Sequence, residues 1–385
     1  MALLMESNSG ALILAINSGS SSLKFGLFQR QDREEVPILS GGAEGVGTKS
    51  GKLNINDAQG KKLLDESYTW SNQEHALQEI VHALAKLASA APACVGHRVV
   101  HGGPHLRQHQ KITSDLLAKL QAAVHFAPLH IPASVALIKA TERLLPQAEQ
   151  YACFDTAFHA SMPETSCRFA LPEELYRKGV ERYGFHGLSY ESIVYRLRDR
   201  LPSRLICAHL GSGASLAAIR DGVSIDTSMG LTPTGGIPMA TRSGDLDPGV
   251  LLFLMRTEKL GADALEKMLN HQSGLLALSG GEADMQRLQA RAQAGDHRAE
   301  IAIDLFCMAV RKYIGAYAAE LGGLDLLVFT GGIGEHSRDV RQRVCRGLDF
   351  LGVAVDAEGS LTKAAILASQ EEHQIARHCR QMMGQ

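Results

Sequence analysis

The stretch Leu12 to Phe28, LILAINSGSSSLKFGLF, constrains the fold more than any other part of this chain. It reads as a buried strand from Leu12 to Ile16, a tight polar loop from Asn17 to Ser22 and a second strand from Leu23 to Phe28. The first run is nearly all apolar, as in a strand covered on both faces. The second alternates, with Leu23, Phe25 and Leu27 on one face and Lys24 on the other. The loop holds one glycine, four serines and an asparagine. Without bulky side chains, its backbone N–H groups and hydroxyls can approach a phosphate closely. Taken alone, the stretch also fits an ordinary hairpin.

A second copy favours the phosphate reading. Sliding the chain by 193 residues lays Leu205 to Arg220, LICAHLGSGASLAAIR, over the first stretch without a gap. Leu12, Ile13, Ala15, Ser22 and Leu23 then fall on Leu205, Ile206, Ala208, Ser215 and Leu216. Such a repeat predicts two similar domains, each offering a phosphate-grasping turn, with a nucleotide held in the cleft between them. At 385 residues the chain is long enough for two or three domains. A net charge of -2 argues against a nucleic-acid binder working through a basic surface. No GxxxxGK[ST] run occurs, and Gly332-x-Gly334-x-x-Ser337 lacks the third glycine of a dinucleotide fingerprint. The seven cysteines are scattered and form no metal-type spacing, which fits reduced thiols in a cytoplasmic protein. Residues 1 to 10 read as a frayed extension. The apolar run Ala11–Ile16 has no basic flank and is too short to span a membrane, so neither a signal peptide nor an anchor is expected.

The remaining elements follow from periodicity. Val36–Leu39 reads as a short strand, held to a sheet edge by Pro37. Helical spacing appears over residues 74–88, 113–126, 132–145, 188–198, 248–257, 261–270, 283–321 and 371–383. Cys94–Val100 is a strand with Arg98 inside it, running into His101-Gly102-Gly103-Pro104. Tyr151–Phe154 is a strand ending at Asp155, where ligands of open α/β sheets lie. Val223–Thr227 is another strand. Met229–Asp247 is a loop of four glycines and two prolines around Arg242, and Leu326–Phe329 runs into the turn Thr330-Gly331-Gly332-Ile333-Gly334-Glu335.

The repeated strand–loop–strand unit with a late glycine turn resembles the superfamily of actin, sugar kinases and heat-shock chaperones. Within it, the ordered blocks INSGSSSLKF, GHRVVHGG, APLHIP, FDTAFH, YGFHG, HLGSGAS, SMGLTPTGG, ATRSGDLDPG, FTGGIGE and EEHQIAR resemble those of the acetate kinase family, from residue 16 to residue 377. The resemblance implies an α/β fold of two duplicated ribonuclease-H-like domains with a nucleotide cleft between them. The first would span 11–155, joined by a C-terminal helix 372–385. The second would span 156–371 and carry nucleotide and dimer contacts. The implied activity is reversible, Mg²⁺-dependent, in-line transfer of the ATP γ-phosphoryl group to acetate. A propionate-preferring short-chain acyl kinase and a non-catalytic ATP-binding switch remain alternatives. Mn²⁺ can substitute for Mg²⁺, and the expected assembly is a cytoplasmic homodimer with no nucleic-acid or membrane partner.

Residue by residue, the resemblance places Asn17 and Glu371 at the metal, and Arg98 on the substrate carboxylate. Asp155, His186 and Arg242 fall at catalytic positions, with His186 and Arg242 stabilising the transferring phosphoryl group. Val100, Leu129, Phe185 and Pro233 would line an apolar pocket for the acetate methyl. Lys24, His209, Leu210, Gly211, Ser212 and Gly213 would meet ATP, with Asp284, Met285, Gln286, Gly332, Ile333, Gly334, Glu335 and His336 around the adenosine. The chain departs from the common pattern at Ser212, Gln286 and His336, at Thr234-Gly235-Gly236, and at Tyr190, where the family commonly has histidine. Acetate is already ionised at neutral pH, so Asp155 is expected to orient Arg98 or metal-bound water rather than act as a base.

Overall fold

The computed structural model describes residues 10–19, 21–128, 130–355 and 361–384. The extension expected at the amino terminus therefore lies almost wholly outside the described residues. The chain divides into two compact units, Met1–Ala157 with Gln370–Gln385, and Phe158–Ser369. The returning C-terminal helix spans Glu371–Met383, so Glu371 belongs to the first unit rather than to the end of the second.

Unit 1 is built on eight strands: β1 Leu12–Ser18, β2 Ser22–Gln31, β3 Glu34–Glu44, β4 Gly51–Asp57, β5 Lys62–Tyr68, β6 Cys94–Val99, β7 Gln110–Lys111 and β8 Glu149–Phe154. Their order in the sheet is β5-β4-β3-β2-β1-β6-β8-β7. The hairpin read from Leu12–Phe28 is present, with Ile16 opposite Phe25 and Asn17 opposite Lys24. From β1 the sheet turns parallel, to β6 and then β8. These three strands end side by side, which gathers Asn17, Arg98 and Asp155 at one rim. Ile13, Leu14, Val95 and Phe154 are fully buried, as strands covered on both faces require. One face packs on the helix Gln73–Leu87 through Leu77, Ile80 and Leu84, with Trp70 and Phe25.

The strand at Pro37 is not an edge. β3 runs the full eleven residues between β2 and β4. The proline is accommodated because the register slips there: Leu27 faces Leu39, Phe28 faces Pro37, and Ile38 is skipped. A bulge removes the ladder bond that proline could not donate.

Unit 2 repeats the plan with β9 Arg204–Leu210, β10 Ala214–Arg220, β11 Val223–Thr227, β12 Leu326–Thr330 and β13 Ala364–Ile366. The order is β11-β10-β9-β12-β13, antiparallel through the hairpin and parallel from β9 to β12. The helix expected over 283–321 is two helices, Met285–Gln293 and His297–Leu321. Gly295 takes a left-handed φ of 91°, and the Asp296 side chain accepts from the amides of Arg298 and Ala299 to cap the second. Among the described residues, no helix is long and apolar enough to cross a membrane.

Candidate active site

In unit 1 the parallel strand ends assemble one polar cluster. Arg98 Nε and Nη2 both donate to Asp155 Oδ2, at 2.9 and 2.5 Å. Its Nη1 donates to Asn17 Oδ1 at 3.1 Å and to the Ser18 carbonyl at 3.4 Å. Asn17 Nδ2 in turn donates to Glu371 Oε2 and Glu372 Oε1, each at 2.8 Å. Asp155 is 1% exposed and Asn17 6%. Burial works against the guanidinium charge, but Asp155, then Glu371 and Glu372, outweigh it and hold Arg98 firmly protonated. Three carboxylates thus face one guanidinium and one amide. A negative excess of oxygen donors suits a hard divalent cation such as Mg²⁺. Lys24 is exposed and pairs across the hairpin with Asn17, so both side chains leave the same face of the sheet. Val100 follows β6 and is half-buried. Leu129 lies outside the described residues.

Unit 2 gathers a second group. His186 precedes the helix Gly187–Leu197 in a left-handed conformation, φ 58°, unusual for a non-glycine residue and common at functional positions. Its Nδ1 is 2.8 Å from Ser215 Oγ, which is 2.6 Å from the Tyr190 hydroxyl. The His186 ring stacks on His209, with centroids 4.2 Å apart, and His209 Nδ1 is 2.8 Å from Ser189 Oγ. A Cβ added at Gly213 would lie 3.3 Å from His186 Nε2 and 3.7 Å from Arg242 Nη1. Both groups therefore border the Gly211-Ser212-Gly213 loop. Arg242 Nη1 also donates to the Pro233 carbonyl at 3.2 Å. Phe185 is 1% exposed, and its carbonyl accepts from His159 Nε2 at 3.1 Å. Burial pushes His159 down to about 4, against the bond to Phe185, so it stays neutral at neutral pH.

The second glycine turn adjoins the first: a Cβ on Gly211 would lie 3.9 Å from the Gly332 amide. Gly331, at φ 76°, tolerates no side chain, because its Cβ would meet the Leu210 carbonyl at 2.7 Å. Leu210 itself is fully buried. Several expected nucleotide residues have structural partners. Glu335 folds back to accept from the Gly331 amide at 2.9 Å and the Ser369 amide at 3.3 Å. Asp284 caps its helix through the Arg287 amide, and Met285 sits in the core. Gly332, Gln286 and His336 are exposed, Ile333 is half-buried and Gly334 is buried.

Sequence reasoning passed over Glu372, Tyr190 and Ser215 as members of these clusters. The doubled acid opening EEHQIAR signals the first, since two acidic residues in one helical first turn can share a cation. Tyr190 stood out only as a departure from the family's histidine, and the role of both hydroxyls depends on a contact between a helix and a strand.

Residues 12–376 match the model of the acetokinase family. The chain is 41% identical over 404 residues to an acetate kinase of Methylocella silvestris, covering 97% of this chain and 98% of that protein. An acetate kinase of Treponema denticola is also 41% identical, over 93% of this chain and 94% of its own. Among solved structures, Porphyromonas gingivalis acetate kinase superposes with a TM-score of 0.84 at 35% identity, over 97% of this chain and 100% of that one. A propionate kinase from Francisella tularensis superposes at 0.88 and 34% identity, over 96% and 98%.

Proposed function

Because the chain belongs to the acetokinase family, we propose that it is an acetate kinase, transferring the γ-phosphoryl group of ATP reversibly to acetate. An acetate oxygen forms a bond to the γ-phosphorus as the bond to the β,γ-bridging oxygen breaks, giving acetyl phosphate and ADP. The observation that carries this reading is the Arg98 guanidinium, fixed by Asp155 and Asn17 at the ends of three parallel strands. Its planar fork suits a carboxylate. Asp155 sets the direction of that fork and leaves the ionised acetate as its own nucleophile. In unit 2, His186 and Arg242 place donors beside a glycine loop, where charge on a transferring phosphoryl group would develop. Asn17, Glu371 and Glu372 are the residues that would hold Mg²⁺, or Mn²⁺ in its place. When bound, the ion offsets phosphate charge.

Val100 is the proposed limit on acid length. One methylene is worth about 1–3 kcal/mol, so acetate is preferred and propionate tolerated. The Francisella tularensis neighbour makes a propionate preference the second reading. Comparing kcat/KM for acid-dependent ADP formation arbitrates: about tenfold in favour of acetate supports the proposal, and the reverse order replaces it. ADP formation indifferent to either acid would leave an ATP-binding switch.

A homodimer fits the helix Pro248–Thr257, which leaves Leu252, Phe253 and Met255 about half exposed. Light scattering giving a monomer would dismiss it. All seven cysteines are buried and free, as in a reducing cytoplasm.

A further inference from the structure

His186 does not stand alone beside the glycine loop: a buried hydroxyl chain reaches its far side. Tyr190 and Ser215 are both fully buried. The Tyr190 hydroxyl lies 2.6 Å from Ser215 Oγ, and Ser215 Oγ lies 2.8 Å from His186 Nδ1. Two hydroxyl protons and one ring proton compete for the two bonds of this line. A phenol is a stronger acid than an alcohol, and an imidazole nitrogen a better acceptor than a hydroxyl oxygen. Hydrogen bonds running in one direction also strengthen each other. The favoured order therefore runs from the Tyr190 O–H to Ser215 Oγ, and from the Ser215 O–H to His186 Nδ1.

We infer that Tyr190 and Ser215 are positioning residues that fix the tautomer of His186, keeping the proton of the neutral ring on Nε2, the atom bordering Gly213. The nitrogen that carries the proton is set by the bond the other nitrogen makes. The stacked neighbour is built alike. His209 Nδ1 is held by the buried Ser189 hydroxyl, and a Cβ on Gly211 would lie 3.9 Å from His209 Nε2. Both rings thus turn Nδ1 into the protein and Nε2 to the loop. In its neutral form, His186 then donates from Nε2 without first taking up a proton, while Arg242 supplies the fixed charge. The use of that donor rests on the phosphotransfer reading; its position does not.

Tyr190→Phe removes one oxygen and keeps the ring, so the fold is retained. Nitrogen-15 NMR of histidine-labelled protein at about pH 8, above the usual histidine titration, reads the tautomer directly, with His186 assigned through His186→Gln. The wild-type signal is expected to report the proton on Nε2. In Tyr190→Phe it shifts toward a mixture of tautomers, and kcat falls about tenfold while KM for ATP and acetate stays within about twofold, as losing roughly one hydrogen bond of bias predicts. Ser215→Ala breaks the same chain one bond nearer and gives the same signature. A wild-type proton on Nδ1 overturns the inference, as does a Tyr190→Phe protein whose spectrum and kcat both match wild type. A protein that makes no acyl phosphate, yet shows the Nε2 proton and loses it in Tyr190→Phe, overturns the phosphotransfer reading and upholds the relay.

Discussion

Asp155 illustrates how one carboxylate acquires a use. It follows a buried parallel strand, is almost wholly enclosed, and receives two bonds from Arg98 on one oxygen. Acetate needs no deprotonation near neutral pH, so a base has nothing to remove. Asp155→Asn is predicted to lower kcat on the order of 100-fold by letting the guanidinium wander, a misplacement of about 1 Å being enough. The shape of the pH–rate profile should be unchanged. Recovery of activity at alkaline pH would show that the carboxylate works as a base. The Arg98–Asp155 pair was legible as two positions in family-like blocks. Asp155 was expected to orient either Arg98 or metal-bound water, and strand register across 57 residues of chain brings it to Arg98.

At the scale of elements, the C-terminal helix Glu371–Met383 decides whether the carboxylates proposed to hold the metal stand beside Asn17. It is pinned by Glu35, whose carboxylate meets Arg380 at 2.7 Å and Arg377 at 3.0 Å, and by His373 on the Glu35 carbonyl. Burial alone would raise the Glu35 carboxyl, but bonds from His373 and Arg380 and the neighbouring guanidiniums hold it below its ordinary value. Gly96 on β6 lets the helix approach: a Cβ there would meet Cys379 Sγ and Ile375 Cγ2, each at 2.5 Å. Gly96→Ala is therefore expected to lift the helix, cost about 1–3 kcal/mol of stability, and raise the Mg²⁺ concentration for half-maximal rate severalfold. Mg²⁺ titration of the rate and thermal unfolding measure both. An unchanged Mg²⁺ requirement would detach the helix from the metal site. Periodicity gave this helix its full extent, but nothing local says that it packs on a sheet begun more than 350 residues earlier. The same limit explains Pro37, where a bulge answered a local prohibition, and residues 283–321, where Gly295 and Asp296 stop one helix and start another within an unbroken amphipathic pattern.

The molecule as a whole is a duplicated design in which each sheet opens with the same hairpin and then turns parallel. An ungapped repeat at an offset of 193 made that duplication legible, since a strand–turn–strand unit keeps its pattern of buried and small residues wherever it recurs. The Leu12–Phe28 hairpin carries Asn17 and Lys24, whereas the Leu205–Arg220 hairpin carries His209, the glycine loop and Ser215. Unit 1 thus gathers the groups proposed to bind the carboxylate and the metal, and unit 2 the donors beside glycine turns. Phosphoryl transfer to a carboxylate is proposed to need both sets of groups. It is tested most directly by incubating the protein with ATP, Mg²⁺ and acetate and trapping the product with hydroxylamine. The account predicts acetyl hydroxamate in amounts matching the ADP released, and its loss in Arg98→Ala. ADP release with no hydroxamate from acetate would contradict it.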